Sequence, residues 1–286
     1  MNRVLLQRIV CAVDLSDQSA ATLKRAVHLA HLHGGELLVV HVTNRRLATN
    51  VSAQRTITDA FSALRRLTDA EPYHTVPVRW IMSHGDPAIE LASLIRRTDA
   101  DLAVVGRTLS RPSTGVVGTV ADAILRTTAC PVLAIPQTPD GDAPPTPYRE
   151  ILCGVSSGLS TITLRYALSF AQESKSRLTI LTVDDRHRGN RADEDRVESG
   201  IDRLLAEIPD SAHDSSVIDQ LVATGEPSEE LVKTAHQVDP DLVVVGSTAT
   251  AGLGSVALGA LTLTNASVLI VPAPAFAREI DATLAA

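Results

Sequence analysis

Apolar and polar positions follow two alternating rhythms along the chain. Short apolar runs, RIVCAVD at 8–14, ELLVVHVT at 36–43, PVRWIM at 77–82, DLAVVG at 101–106 and CPVLAIP at 130–136, have the length of strands buried on both faces. Between them the apolar residues fall at helical spacing. Leu23, Ala26, Val27 and Ala30 share one face of a helix that is predicted to stop at Gly34-Gly35, with Ser16 and Asp17 supplying cap chemistry at its start. A second helix is predicted over roughly 51–70. A third opens at Gly85-Asp86-Pro87, where Asp86 suits a cap and Pro87 a first turn, and it carries Ala88, Leu91, Ala92 and Ile95 on one face. A fourth opens at Gly118-Thr119. The order βαβαβαβαβ calls for a parallel sheet with helices on both faces, joined by right-handed crossovers.

The pattern then repeats. Cys11 and Val13 correspond to Cys153 and Val155, Gly85-Asp86-Pro87 to Gly225-Glu226-Pro227, Asp101 and Gly106 to Asp241 and Gly246, and Gly118-Thr119 to Gly254-Ser255. The predicted fold is two tandem doubly wound parallel-sheet α/β domains of Rossmann-like type. The first spans 1–136 and the second 148–275, with a tail at 276–286. Between them, 137–147 holds four prolines and a glycine without apolar periodicity and reads as a stiff linker. At 286 residues the chain is long enough for two cores of ordinary size.

Composition narrows the function. A formal charge of −7 and an aromatic content of 2% leave neither a basic field nor stacking platforms for nucleic acid, so none is expected as a partner. No apolar run reaches the length of a membrane span, and the amino-terminal stretch leads straight into a strand without a small-residue cleavage site. The expectation is a cytoplasmic protein that does not meet a membrane. Its three cysteines read as buried thiols.

The candidate chemistry lies after DLAVVG. A sharp turn at Gly106 followed by a helix at Gly118-Thr119 would gather free backbone N–H groups and the positive end of a helix dipole, which together suit a phosphate. The competing reading is that these glycines serve only the strand-to-helix turn. Gly154-Val155-Ser156-Ser157-Gly158 fits the G-x-S-x-G of a nucleophile elbow, but no histidine can be assigned as its base. His28 and His31 share a helical face beside His33, read as solvated rather than metal-binding because no thiol or carboxylate stands at matching spacing. Arg45 and Arg46 follow the second strand in what reads as a solvated loop. No Walker loop or dinucleotide fingerprint occurs.

The opening strand leading to Asp14, the GDP and GEP helix starts, D-L-x-V-V-G in both copies and G-[ST]-V-A before a closing strand together resemble the universal stress protein family, in its tandem two-domain form. The resemblance implies ATP as cofactor, accompanied by Mg and no other metal. It places cofactor-binding groups at Ala12, Asp14, Val42, Gly106, Gly118 and Thr119 in the first copy and at Gly246, Gly254 and Ser255 in the second. Members that bind ATP carry G-x2-G-x9-G-[ST] in this loop. Here Leu109 and Ala249 occupy the middle glycine position, both loops are shorter than the pattern, and Ser156 replaces the aspartate in the second copy. Nucleotide is therefore expected in the first copy in preference to the second.

The resemblance implies a stress-response regulatory or protective factor and not a catalyst. The alternatives are an interaction scaffold that binds no nucleotide, or a slow nucleotide hydrolase. The apolar closing strands, 131–136 and 267–272, are expected to pair within one chain, as they do in relatives, and a homodimer is left open. In the tail, Phe276, Ile280 and Leu284 recur every four residues and predict a helix with one buried stripe.

Overall fold

The computed structural model describes residues 4–16, 19–43, 51–107, 119–128, 130–136, 147–155, 160–184, 217–247 and 253–272. Residues 137–146 of the linker, the tail with Phe276, Ile280 and Leu284, and positions Asp17, Arg45, Arg46, Leu109, Gly118, Ser156 and Ala249 lie outside them. The chain divides into two compact units, Leu5–Thr146, and Pro147–Ala286 together with Met1–Val4.

In the first unit the elements are β1 (Arg8–Ala12), α1 (Ser19–His33), β2 (Glu36–Thr43), α2 (Val51–Thr68), β3 (Val78–His84), α3 (Pro87–Thr98), β4 (Leu102–Arg107), α4 (Thr119–Thr127) and β5 (Val132–Pro136). The strands are ordered β3-β2-β1-β4-β5, and every pairing is parallel. The second unit repeats the plan over its described residues. Its elements are β6 (Glu150–Val155), α5 (Ser160–Ser174), β7 (Arg177–Asp184), β8 (Ile218–Thr224), α6 (Pro227–Val238), β9 (Leu242–Ser247), α7 (Ser255–Leu263) and β10 (Ser267–Pro272). Its strands are ordered β8-β7-β6-β9-β10, again all parallel. Each unit is a doubly wound α/β sheet. Among the described residues no helix is long and apolar enough to cross a membrane.

The central strands explain their own composition. Val10, Cys11, Leu38, Val39, Ala103 and Val104 are all at most 1% exposed, because a parallel sheet is covered on both faces and alternation would leave polar groups in the core. Leu23, Ala26, Val27 and Ala30 are sealed against that sheet, as their spacing predicts. α1 ends in a left-handed Gly34 at φ 62°, after which Gly35 donates to the Ala30 carbonyl at 2.9 Å. Gly35 is needed for a different reason. A Cβ there would lie 2.4 Å from the Leu6 carbonyl oxygen and 2.7 Å from that of Gln7.

Both acidic caps form as expected. Asp86 accepts from the amides of Ala88 and Ile89, and Glu226 from those of Ser228 and Glu229, each with a proline in the first turn. The same two helices end alike, on left-handed Asp99 and Asp239.

The aspartate of D-L-x-V-V-G fastens the sheet from below. Asp101 donates its N–H to the Arg8 carbonyl at 2.9 Å and accepts the Arg8 N–H on Oδ2 at 2.8 Å. Asp241 repeats the clasp, donating to the Glu150 carbonyl at 2.8 Å and accepting from the amides of Arg149 at 2.6 Å and Glu150 at 3.2 Å. Each aspartate ties the start of its unit's fourth strand to the start of the first.

Two stability measurements check this account. Gly35→Ala should destabilise the chain by about 1 to 3 kcal/mol through collision with fixed carbonyls, and by more than Gly34→Ala, when both are followed by chemical unfolding. Asp101→Ala should lose about 1 to 2 kcal/mol by leaving the Arg8 N–H without its acceptor. A variant as stable as the parent would mean that the clasp contributes nothing.

Candidate functional site

In each sheet the strand order reverses between the first strand and the fourth, so neighbouring crossovers leave on opposite faces and open a crevice beyond the strand ends. In the first unit Ala12 of β1 stands opposite Val40 of β2 on one side and Val105 of β4 on the other. Asp14, two residues beyond Ala12, and Gly106, one beyond Val105, therefore emerge at the same end of adjacent strands. Val42, half-buried and opposite Ser83 of β3, ends the next strand over.

β1 is shorter than its apolar run suggested. It ends at Ala12, and Asp14 lies in the loop beyond. Val13 keeps one tie to the sheet, donating its N–H to the Val40 carbonyl at 2.9 Å. Leu15 then turns through φ 62°, a left-handed conformation that a bulky residue holds only where its surroundings enforce it.

What enforces it is a knot of hydrogen bonds on Asp14. Its Oδ1 accepts from the Ser16 N–H at 3.0 Å, the Ser16 hydroxyl at 2.7 Å and the Ser19 hydroxyl at 2.7 Å. The Ser16 hydroxyl thus gives its proton to the carboxylate, and the Ser16 carbonyl meets the helix, accepting from the Ser19 N–H at 3.0 Å. Partial burial raises the Asp14 carboxyl, but the Ser19 and Ser16 hydroxyls and the backbone donors outweigh it and hold the group below the usual carboxylate range. The result is an exposed, ionised carboxylate held through Oδ1, whose Oδ2 has no hydrogen-bond partner among the described residues.

The remaining predicted positions fall around this point or outside the described residues. Gly106 is exposed at the end of β4, where it adds no side chain to the crevice. Beside it Arg107 is 4% exposed, and burial lowers its guanidinium to about 10. Thr119 is the first residue of α4, as expected, while Gly118 lies outside the described residues. The residues that are described fit a nucleoside, with a carboxylate acceptor, an apolar strand end and bare backbone converging on one crevice.

The second unit is built differently at the same place. Gly254 caps α7 at φ −70° with no side-chain bond, and a Cβ there would meet nothing within 4 Å. Among the described residues neither the backbone conformation nor the packing at 254 requires a glycine. Ser255 opens α7, and Gly246 lies in β9 opposite Val271. Ser156 lies outside the described residues, as does Gly158. Gly154 has a packing role, because a Cβ on it would stand 3.1 Å from Leu231 Cδ1. The G-x-S-x-G spacing thus begins with a glycine that serves the core.

The histidines of α1 are not simply solvated. Tyr73 sets the edge of its ring against His28 and His31, with centroids 6.2 and 5.8 Å apart, and His33 is buried, its Nδ1 accepting from the Leu6 N–H at 3.4 Å. Among the described residues no group of three or more His, Cys, Asp or Glu is placed to hold a metal. All three cysteines are buried and free.

Comparison with known proteins agrees with this architecture. The model of the universal stress protein family matches twice, over residues 6–136 and 147–272. A curated universal stress protein of Bacillus subtilis, YxiE, is 25% identical over 147 residues, covering 46% of this chain and 99% of its own. Among solved structures, a universal stress protein from Archaeoglobus fulgidus superposes with a TM-score of 0.69 at 15% identity, covering 93% of this chain and 98% of its own. A Pseudomonas aeruginosa protein of unknown function superposes at 0.61 and 20% identity, covering 94% and 93%. With two consecutive matches to one family model on two sheets of the same winding, the chain belongs to the universal stress protein family as a tandem member.

Proposed function

We propose that the chain is a cytoplasmic regulatory or protective factor of the stress response that binds ATP in its first unit and is not a catalyst. The observation that carries this reading is Asp14. Its ionised carboxylate is held by three donors at the end of β1, beside the crevice at which doubly wound sheets receive their ligands. In this reading Asp14 accepts hydrogen bonds from the ribose, and Val42 with the backbone around Ala12 borders the base. Gly106 allows the phosphates to approach the strand end, and the start of α4 at Thr119 faces them with its positive dipole. A Mg²⁺ would arrive with the phosphates of the nucleotide.

The second unit has the same winding but carries serine at the position of the aspartate, and its loop is shorter. Its α7 has no charged residue and leaves Leu258 and Leu263 at 40% and 54% exposure. These exposed leucines favour contact with other proteins as this unit's contribution, and they support the scaffold reading for the second half alone.

Calorimetric titration of ATP tests the assignment. Asp14→Ala should weaken binding tenfold or more, roughly the value of a hydrogen bond to a charged group, while Ser156→Ala should leave it unchanged. Equal losses from the two substitutions, or none from Asp14→Ala, would defeat it.

A further inference from the structure

We infer that His41 is a positioning residue for the nucleotide site: its ring holds the peptide that precedes Asp14 and thereby fixes where that carboxylate points. The inference rests on the nucleotide reading of the first unit and adds to it a residue outside the crevice. The His41 Nδ1 atom lies 2.9 Å from the Val13 carbonyl oxygen. A carbonyl can only accept, so Nδ1 carries the proton and donates. Val13 is thus gripped at both ends, its N–H by the Val40 carbonyl at 2.9 Å and its C=O by the His41 ring. β1 has already ended at Ala12, so the His41 side chain continues a connection that the strand ladder no longer supplies.

This matters because the next residues are strained. Leu15 is left-handed at φ 62°, and such a conformation persists only if both ends of the segment are fixed. Ser19 fixes the far end, exchanging bonds with Asp14 through its hydroxyl. His41 fixes the near end. The ring itself cannot swing away. It is 9% exposed and meets the edge of Phe61 at 6.0 Å between centroids, Phe61 in turn meets Trp80 at 5.4 Å, and the Arg65 guanidinium lies 5.6 Å from the Trp80 ring centre.

The repeat supplies an internal control. Arg8 pairs with Glu36 and Glu150 with Arg177, so β2 and β7 correspond in register and Thr182 occupies the position of His41. Ser156 occupies that of Asp14. The sheets are wound alike, yet carboxylate and histidine are present together in one copy and absent together from the other. That pairing links His41 to the carboxylate, since a histidine needed by the sheet would be needed twice.

The test uses the full chain and two substitutions, His41→Leu, which keeps bulk and removes the donor, and His41→Asn, whose Nδ2 can take the place of Nδ1. ATP affinity is read by calorimetry. Hydrogen exchange of the Ser16 amide, which donates to Asp14 Oδ1 at 3.0 Å, is read by NMR without ligand. His41→Leu should weaken ATP binding and accelerate Ser16 exchange, each about tenfold, and His41→Asn should restore both to within about threefold. If the parent protein binds no ATP, the nucleotide reading falls, and Ser16 exchange alone decides the positioning role. Unchanged Ser16 exchange in His41→Leu overturns the inference whatever ATP does. So does a His41→Asn variant as impaired as His41→Leu, which would show that ring volume matters and the hydrogen bond does not.

Discussion

The register between the first and fourth strands is the constraint on which each unit depends. These two strands are adjacent in space but separated in sequence by two other strands, so nothing local aligns them. The alignment is made at the bottom of the sheet, where Asp101 clasps Arg8 and Asp241 clasps Arg149 and Glu150. Once those starts are level, Ala12 must face Val105 and the two chains must emerge together at the top. A one-residue slip would turn Gly106 or Asp14 away from the crevice and drive buried side chains to the wrong face. The aspartate of the family motif is therefore a structural residue whose effect is felt at the other end of the strand.

At that upper end the sheet delivers two strand tips, and the loop chemistry then decides what they can do. In the first unit the loop is a self-contained device. A strained Leu15 reverses the chain, and two serines satisfy one oxygen of Asp14. Its donors come from the same short loop and the first turn of α1, so the device survives only while Val13 and Ser19 hold its ends. The second unit keeps the winding of the sheet but carries Ser156 and Thr182 where the first has Asp14 and His41. Duplication within one chain allows this, because each half can change without altering the other.

Much of the fold was legible in the sequence because its signals are local. Buried apolar runs, acidic caps before Pro87 and Pro227 and the Gly34-Gly35 stop all depend on neighbours a few residues away, and all appear where the pattern puts them. The misreadings have one physical origin, in partners that are remote or in competition. Val13 is apolar and extends the run, but hydrophobicity does not reveal that a histidine ring from β2 has claimed its carbonyl. Ser16 has the chemistry of a cap, but its position does not reveal that its hydroxyl and its amide both donate to the carboxylate two residues earlier. His31 is exposed as its face was expected to be, but Tyr73 also sets its ring against His28 and His31, a contact that helical spacing cannot show. His41 sits inside an apolar strand run, and only comparison with Thr182 marks it. In the site itself, Ala12, Asp14, Val42 and Gly106 lie toward one end of the first sheet, while Gly118 and Leu109 lie outside the described residues.

The matched cysteines have a consequence for chemistry of another kind. Cys11 and Cys153 lie in the central strands of their sheets and Cys130 just before β5, all at most 5% exposed. Burial pushes each thiol upward, Cys130 and Cys153 to about 12, so the nucleophilic thiolate is scarce at neutral pH and an oxidant has no route to it. The three thiols of the folded chain are thus poor partners for peroxide and disulfide exchange, whereas the thioether of Met82, 48% exposed, stays within reach of an oxidant. A signal carried by thiol chemistry would have to reach the chain as a change in ligand or partner, because the cysteine sulfurs become reactive only when a sheet comes apart.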